Sequence, residues 1–138
     1  MTVHPYLFFS GTCREAFTTY QQVFGGELFI QTMAEAPEGE AMPGSTPDTV
    51  MHAALPVGDT LLMGSDDPTG DGGPMKGVAI SYTADDVPGC EKAFAALSEG
   101  GEVTMPLAKT FWSPMFGMCT DRFGVPWMVS VNDPSQGS

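Results

Sequence analysis

The pentapeptide FGGEL at residues 24–28 returns as EGGEV at residues 99–103, 75 positions further along the chain. In each copy the two glycines follow a stretch with apolar residues at helical spacing, which is itself preceded by a run typical of a β-strand. Further β-like runs follow both copies. The sequence therefore predicts a duplicated unit made of one strand, one helix and three strands, written βαβββ.

The hydrophobic pattern predicts where the elements of each unit begin and end. A capping box formed by Thr12 and Glu15 predicts the start of the first helix, and Gly25 its end. Asp85 or Asp86 is expected to cap the second helix, which ends at the second glycine pair. The predicted strands cover residues 3–9, 28–33, 49–55 and 60–65, and then 77–83, 103–107, 112–119 and 125–131. We expect a single domain over 1–138, with repeat one at about 2–65, a linker at 66–75 and repeat two at about 76–132.

Side chains alternate between the two faces of a strand, so each strand divides into two sets. In three of the strands one set is bulky and apolar, whereas the other is smaller and more polar. The bulky set, which includes Trp127, belongs under the helix, and strand 3–9, apolar on both faces, is interpreted as a central strand. The fold class is thus α+β, with two mixed sheets that are expected to curve into a cup with the helices outside. The alternative is an ordinary solvated sheet face.

Composition excludes several functional classes. Seventeen acidic against five basic side chains give a net charge of −12, which repels nucleic acid. No apolar run approaches the ~20 residues that cross a bilayer, and no secretory signal is present, so a cytoplasmic location with reduced cysteines is expected. Cys13 lies in the first turn of a helix, where the helix dipole can lower the pKa of a thiol; it is either reactive or simply packed. Residues 67–78 only faintly resemble a calcium loop, because Val78 stands where the loop needs glutamate.

Several motifs resemble the vicinal oxygen chelate superfamily, which includes glyoxalase I, extradiol dioxygenases and bleomycin-resistance proteins, and within it the PhnB-like branch. The motifs are PYLFFSGTCREA at residues 5–16, MHA at 51–53, TFW at 110–112, FG at 116–117 and TDRFGVPW at 120–127. The likeness covers about residues 5–131. It implies a glyoxalase/bleomycin resistance fold with a cup-shaped site, and a homodimer, because members commonly pair their units across chains.

The superfamily resemblance also implies a divalent metal held by two His/Glu pairs on the first and fourth strands of each unit. The first-strand positions fall at Pro5 and Ala79, and the fourth-strand positions at Leu62 or Met63 and at Met128. None of these side chains offers an imidazole or a carboxylate. We therefore expect no metal and no other cofactor.

These features predict a metal-free protein that binds a small molecule in an apolar cup, the ligand being neutral or cationic because basic side chains are few. The candidate ligand-binding residues are Phe9, His52, Met63, Trp112, Phe116, Met128 and Ser130. His52 is also the candidate general base of an alternative function, a lyase, isomerase or dioxygenase that uses acid–base chemistry or a displaced metal site; it is otherwise a structural histidine. A third alternative is a structural or interaction module with a filled cup. PhnB-like sequences often carry a demethylubiquinone methyltransferase label, but this chain lacks the glycine-rich loop and alternating α/β pattern such enzymes resemble.

Overall fold

The structure, a computed structural model, describes residues 3–35, 46–67, 75–111 and 113–131. The chain divides into two compact units, Met1–Gly73 and Pro74–Ser138. The division falls within the predicted linker. Each unit contains a four-stranded mixed sheet and one helix on one face of that sheet, so the α+β fold with duplicated βαβββ units is confirmed.

The first unit has the sheet order β1-β4-β3-β2. Its elements are β1 (Tyr6–Phe9), α1 (Cys13–Phe24), β2 (Phe29–Thr32), a 3₁₀ turn (Met33–Glu35), β3 (Val50–Val57) and β4 (Thr60–Asp66). Strand β1 pairs in parallel with β4, and the other neighbours are antiparallel. Helix α1 packs on β3 and β4 through buried residues, with Phe17 against Phe9 in an edge-to-face contact at 6.1 Å between ring centroids.

The second unit repeats this order as β5-β8-β7-β6. Its elements are β5 (Ile80–Ala84), α2 (Val87–Ser98), β6 (Glu102–Ala108), β7 (Phe116–Thr120) and β8 (Pro126–Val131). Strand β8 alternates between half-buried and buried residues, and its buried set faces α2. Trp127 is 2 % exposed, so its predicted place in the core is confirmed. Among the described residues, neither helix is long and apolar enough to cross a membrane.

The interpretation of residues 3–9 as a central strand is wrong. Strand β1 begins at Tyr6 and lies at the edge of its sheet, paired on one side with β4. Its residues alternate strictly between exposed and buried, with Leu7 and Phe9 turned towards the helix and Tyr6 and Phe8 towards the opposite face. The strand is apolar on both faces because one face carries exposed aromatic rings, not because both faces are buried.

The two helices begin in different ways. The predicted capping box of α1 is wrong, because the Thr12 side chain makes no capping hydrogen bond. Asp66 at the end of β4 takes this place: one of its oxygens, Oδ1, accepts hydrogen bonds from the amides of Gly11 and Cys13, each at 3.0 Å. Helix α2 is capped locally, as predicted, since the Asp86 carboxylate accepts a hydrogen bond from the Gly89 amide at 2.8 Å.

The repeated glycine pairs have a structural reason. Gly25 and Gly100 adopt positive φ angles, +75° and +76°, where the chain leaves each helix. The second glycine of each pair passes close to the backbone of a strand that occupies the same place in both sheets. A Cβ atom on Gly26 would lie 2.8 Å from the Pro56 carbonyl oxygen of β3, and one on Gly101 would collide with the Thr120 carbonyl oxygen of β7. The motif that revealed the duplication therefore joins helix to sheet in both units.

Of the two interpretations of Cys13, the packed residue agrees with the structure and the reactive thiol does not. The side chain is fully buried, and burial, followed by the nearby Asp66 carboxylate, raises the pKa of the Cys13 thiol to about 12. Burial likewise raises the pKa of Cys119 to about 11 and that of Cys90 above its ordinary range. All three cysteines are buried and unpaired, so they are packing residues rather than reactive thiols.

Candidate functional site

The face of the first sheet that lies opposite α1 carries a run of aromatic rings, and we call it the first open face. Pairing registers place these residues on it: Tyr6 and Phe8 of β1, Phe29 and Gln31 of β2, His52 and Ala54 of β3, and Met63 of β4. Phe8 is 60 % exposed and Phe29 is 55 % exposed. Exposed phenylalanines on one sheet face are unusual for a surface that meets only water, and they indicate a binding site.

The rings on the first open face contact one another across the width of the sheet. Tyr6 lies 5.2 Å from Phe8 and 5.8 Å from His52, measured between ring centroids, and the His52 ring is stacked on it at 27°. Phe29 continues the run at 6.3 Å from His52. The sheet holds these rings at fixed positions, since Tyr6 and Ala54 both pair with Met63 and Ala54 pairs with Phe29.

One hydrogen bond joins two groups of this face that can exchange protons. The Tyr6 hydroxyl oxygen lies 3.3 Å from Nδ1 of His52, and either atom can be the donor because the tautomer of the imidazole decides the direction. The bond fixes the orientation of the imidazole, and the other ring nitrogen, Nε2, takes no part in it. An imidazole oriented in this way is suited to accept or donate a proton, or to hydrogen-bond a ligand.

The face of the second sheet opposite α2 has different chemistry, and we call it the second open face. It carries Ser81 and Thr83 of β5, Phe116 and Met118 of β7, and Met128 and Ser130 of β8. The hydroxyl oxygens of Thr83 and Ser130 are 3.4 Å apart. Met118 pairs directly with Met128, which places two flexible thioethers side by side. Among the described residues that these registers place on it, this face therefore carries hydroxyls and thioethers with one ring, that of Phe116, which is 8 % exposed.

The structure places the predicted ligand-binding residues as follows. His52 and Met63 lie on the first open face, and Phe116, Met128 and Ser130 lie on the second. The prediction for Phe9 is wrong. Phe9 is 4 % exposed and packs under α1, because the residues of β1 that lie on the open face are Tyr6 and Phe8, one position away in the alternation. Trp112 lies outside the described residues. Whether any of these side chains contacts a ligand stays a prediction.

Sequence reasoning missed Tyr6, Phe8 and Phe29. A signal was present in β1, where two aromatic residues recur at spacing two and therefore share a face, as Tyr6 and Phe8 do. The sequence signal for Phe29 was weaker, because the face on which it lies depends on its pairing with Ala54, 25 positions away. Only the folded register shows that Tyr6 and Phe29 lie on either side of His52, with Phe8 beside Tyr6.

Two buried aspartates hold the framework of this chain and were also missed. Asp66 accepts three backbone hydrogen bonds, from Gly11, Cys13 and Val50, and so ties the start of α1 to β3 and β4. Asp121 accepts hydrogen bonds from the amides of Phe123 and Val125 and from the indole N–H of Trp127. Their hydrogen bonds to backbone and indole donors give both carboxylates a structural role.

A model of the Glyoxalase/Bleomycin resistance protein/Dioxygenase superfamily matches residues 2–129. The chain belongs to this superfamily. The resemblance predicted from the motifs is confirmed, and the similar proteins include PhnB-like ones. The PhnB protein of Bacillus cereus has the same fold, with a TM-score of 0.77 at 23 % identity over 96 % of this chain and all of the other.

Two further proteins are similar over nearly their whole length. Protein PA1353 of Pseudomonas aeruginosa is 46 % identical, with a TM-score of 0.86 over 96 % of this chain and 98 % of that chain. Protein YjdN of Escherichia coli is 32 % identical over 95 % of both chains. Neither name states an activity, so the function has to be argued from the side chains.

The residues of this chain do not fit the divalent metal that the superfamily implies. Pro5, Met63, Ala79 and Met128 stand at the implied ligand positions, and none of them supplies an imidazole or carboxylate. Across the described parts of the chain, no group of three His, Cys, Asp or Glu residues is close enough to hold a metal ion. The neighbouring His4 is one position from Pro5, and its Nδ1 already accepts a hydrogen bond from the Leu61 amide at 3.2 Å.

Proposed function

We propose that this protein binds a small organic molecule on the first open face without the help of a metal ion or other cofactor. The observation that carries the proposal is the ring cluster of Tyr6, Phe8, Phe29 and His52, which is exposed on a rigid sheet. Rings supply a large apolar contact area with few rotatable bonds, and the Tyr6–His52 pair supplies a polar group that can orient the ligand.

The second open face, taken by itself, suits a small molecule with both apolar and polar groups. Methionine side chains adapt their shape to an apolar partner, and the hydroxyls of Ser81, Thr83 and Ser130 can accept or donate hydrogen bonds. We propose that Met128 and Ser130 take part in binding, as the sequence predicted, together with Phe116. The ligand we expect is apolar over much of its surface.

Native mass spectrometry of protein purified without chelator is the first test. The expected result is a protein without metal that carries a bound organic molecule, and the Phe8→Ser/Phe29→Ser double variant should lose that molecule. Both side chains are exposed, so the variant should fold. Val3→Ser is the control, because Val3 is 97 % exposed and precedes β1.

Two results would contradict the proposal. One stoichiometric transition metal per chain would show that residues other than the implied ligands bind a metal. A copurified molecule that the double variant retains at wild-type occupancy would place the binding site away from the first open face. If no molecule copurifies, a fragment screen followed by amide chemical shifts gives the same test with added compounds.

A second candidate function is acid–base catalysis by His52, which the hydrogen bond to Tyr6 favours. Lyases and isomerases often begin by removing a proton from carbon, and an oriented imidazole is suited to that step. In D₂O the enzyme would incorporate deuterium at an acidic carbon of the bound compound. His52→Ala should abolish this exchange and leave affinity nearly unchanged, and chelator should have no effect. Binding without exchange would leave the binding protein as the function.

We propose in addition that the protein is a cytoplasmic homodimer. Three buried, unpaired cysteines suit a reducing compartment. Exposed apolar side chains at Val103 and Met105 on β6, the edge strand of the second sheet, offer a surface for a second copy. Light scattering coupled to size exclusion tests the dimer; a monomeric mass at micromolar concentration would contradict it.

A further inference from the structure

The first open face combines aromatic rings with a strongly negative surrounding, and this combination points to the charge of the ligand. The rings of Tyr6, Phe8 and Phe29 present their faces and edges to solvent on one side of a sheet. The π-system of an aromatic ring carries negative charge over its face, so it attracts a cation placed within about 6 Å of the ring centre.

The charged groups of the same unit act in the same direction. Its described residues include seven carboxylates and one guanidinium, that of Arg14. Arg14 belongs to α1, which packs on the other face of the sheet. The described residues of the first open face include no lysine or arginine. A ligand arriving there meets rings and a negative field, and the net charge of −12 extends that field to the whole chain.

The polar groups of the face restrict the kind of cation. The Tyr6 hydroxyl is already paired with His52, and the other polar side chains that the registers place on this face are Gln31 and Ser65, of which Ser65 is 8 % exposed. A primary amine brings three N–H donors that lose water on binding and would be left with few acceptors. A quaternary ammonium has no N–H donor and is weakly hydrated, so rings alone can replace its water.

We propose that the ring cluster binds the cationic end of the ligand, and that this end is a quaternary ammonium group. The proposal rests on the proposed function, because it names the class of molecule that the first open face binds. The positive group contacts the row of rings formed by Tyr6, His52 and Phe29, which Phe8 extends beside Tyr6. Met63 lies on the same face in the register of the sheet. Charge complementarity identifies the occupant as a cation rather than a neutral aromatic compound.

The test compares two probes of the same shape, choline and 3,3-dimethylbutan-1-ol, in which a carbon atom replaces the charged nitrogen. Dissociation constants are measured from amide chemical shifts of β1, β2 and β3 at constant ionic strength. Choline should bind about fivefold more tightly than the alcohol, the ratio expected of cation–π contacts at an exposed site. The Phe8→Leu/Phe29→Leu double variant keeps the apolar surface but only one of the three rings, and should lose most of this preference while its affinity for the alcohol stays within about twofold.

Each outcome distinguishes the class of ligand from the binding function. Equal shifts by the two probes, or tighter binding of the alcohol, would overturn the cationic ligand and leave small-molecule binding intact. A preference for choline that survives in the double variant would also overturn the proposal, because groups other than these rings would then recognise the positive charge. If neither probe shifts these amides at tens of millimolar, the class is overturned, and the copurified molecule decides separately whether the protein binds ligands at all.

Discussion

The two units share a strand order and a helix position, yet their helices are fixed in different ways. In the second unit Asp86 caps α2 from the adjacent residue in the chain. In the first unit Asp66 reaches the start of α1 from the end of β4, 53 positions away from Cys13. The same topology is therefore held by a local contact in one copy and by a long-range contact in the other.

The two open faces differ more than the two helix-covered faces. Under each helix a glycine faces an apolar residue on the two central strands, Gly64 with Ala53 in the first unit and Gly117 with Val129 in the second. The helices bring Phe17 and Phe94 to these glycines. On the open faces, by contrast, rings and an imidazole stand in one unit where thioethers and hydroxyls stand in the other. Packing has been kept in both units, while the chemistry of the open faces has diverged.

Removal of the long-range aspartate should have the largest effect and tests the first contrast. Asp66→Ala leaves the amides of Gly11, Cys13 and Val50 without partners inside the fold and should lower the free energy of unfolding by about 4 kcal/mol or more. Urea unfolding measures this loss. Asp121→Ala also removes three hydrogen bonds, but within one hairpin, and should cost about 3 kcal/mol.

Asp48→Ala is the control for these variants, because Asp48 is exposed, and it should change stability by less than about 0.5 kcal/mol. Equal losses in the free energy of unfolding for Asp66→Ala and Asp121→Ala would show that the sequence separation between an aspartate and its donors does not affect its contribution to stability. A loss at Asp66 no larger than the control would contradict its role as the cap of α1.

These two aspartates also show what could be predicted from the sequence. The duplication, the fold and the Asp86 cap follow from local patterns, because a glycine pair, a helical stripe or a cap needs only a few adjacent residues. The Asp66 cap did not follow, since its donors lie 53 and 55 positions away and no local pattern connects them. A plausible local signal, Thr12 followed by Glu15, predicted the wrong cap.

For the candidate site too, predictions from local patterns succeeded and those that depend on the sheet register failed. His52 was assigned to the correct face because its strand divides into a bulky set and a smaller, more polar set, whereas Met63 came from the fourth-strand position that the superfamily resemblance implies. Phe9 was chosen where Phe8 was needed, because an all-apolar run does not reveal which of its two sets faces the helix. The sheet register decides that, through the pairing of β1 with β4, and the same register brings Phe29 to His52.

Adjacent phenylalanines of β1 sharpen the contrast between the two faces of the first sheet. Phe9→Ala removes a ring that is 4 % exposed and should lower the free energy of unfolding by about 3 kcal/mol. Phe8→Ala removes the same atoms from a position that is 60 % exposed and should cost less than about 1 kcal/mol. Ligand affinity should respond in the opposite order, falling for Phe8→Ala. Similar losses of stability would mean that the first open face is packed against something in solution.

The glycines under the helices provide the next comparison. In Gly64→Ala the new methyl group would lie 2.7 Å from the Leu7 carbonyl oxygen and 2.8 Å from the Phe17 ring, and a backbone atom cannot easily move away. In Gly117→Ala the new methyl group would lie 2.9 Å from both a Leu107 methyl, which can rotate, and the Phe94 ring, and the nearest backbone atom, the Met105 carbonyl oxygen, is further away at 3.1 Å. We expect losses of about 2–3 kcal/mol at Gly64 and about 1 kcal/mol at Gly117 by thermal or urea unfolding. The reverse order would show that the helix, rather than the strand backbone, limits packing in the first unit.

The smallest effect concerns the buried thiols at alkaline pH. Burial, and then Asp66, raises the pKa of Cys13 from its ordinary 9.0 to about 12, whereas Cys119 reaches about 11. Because the folded state keeps each thiol protonated and the unfolded state does not, their stabilisation is complete below pH 9 and is lost as the pH rises towards the folded pKa. Between pH 9 and 10.5 the free energy of unfolding of the wild type should therefore fall.

Variants without the thiols should show a shallower fall over this range, and the slope is the informative quantity because alanine also alters packing. Cys13→Ala should flatten the curve at least as much as Cys119→Ala, since a larger rise in pKa keeps the folded thiol protonated over a wider range of pH. Urea unfolding at half-unit steps of pH measures both slopes. Curves that run parallel to the wild type would mean that the thiols ionise alike in the folded and unfolded chain, and would place Cys13 nearer to water than its buried position beside Asp66 implies.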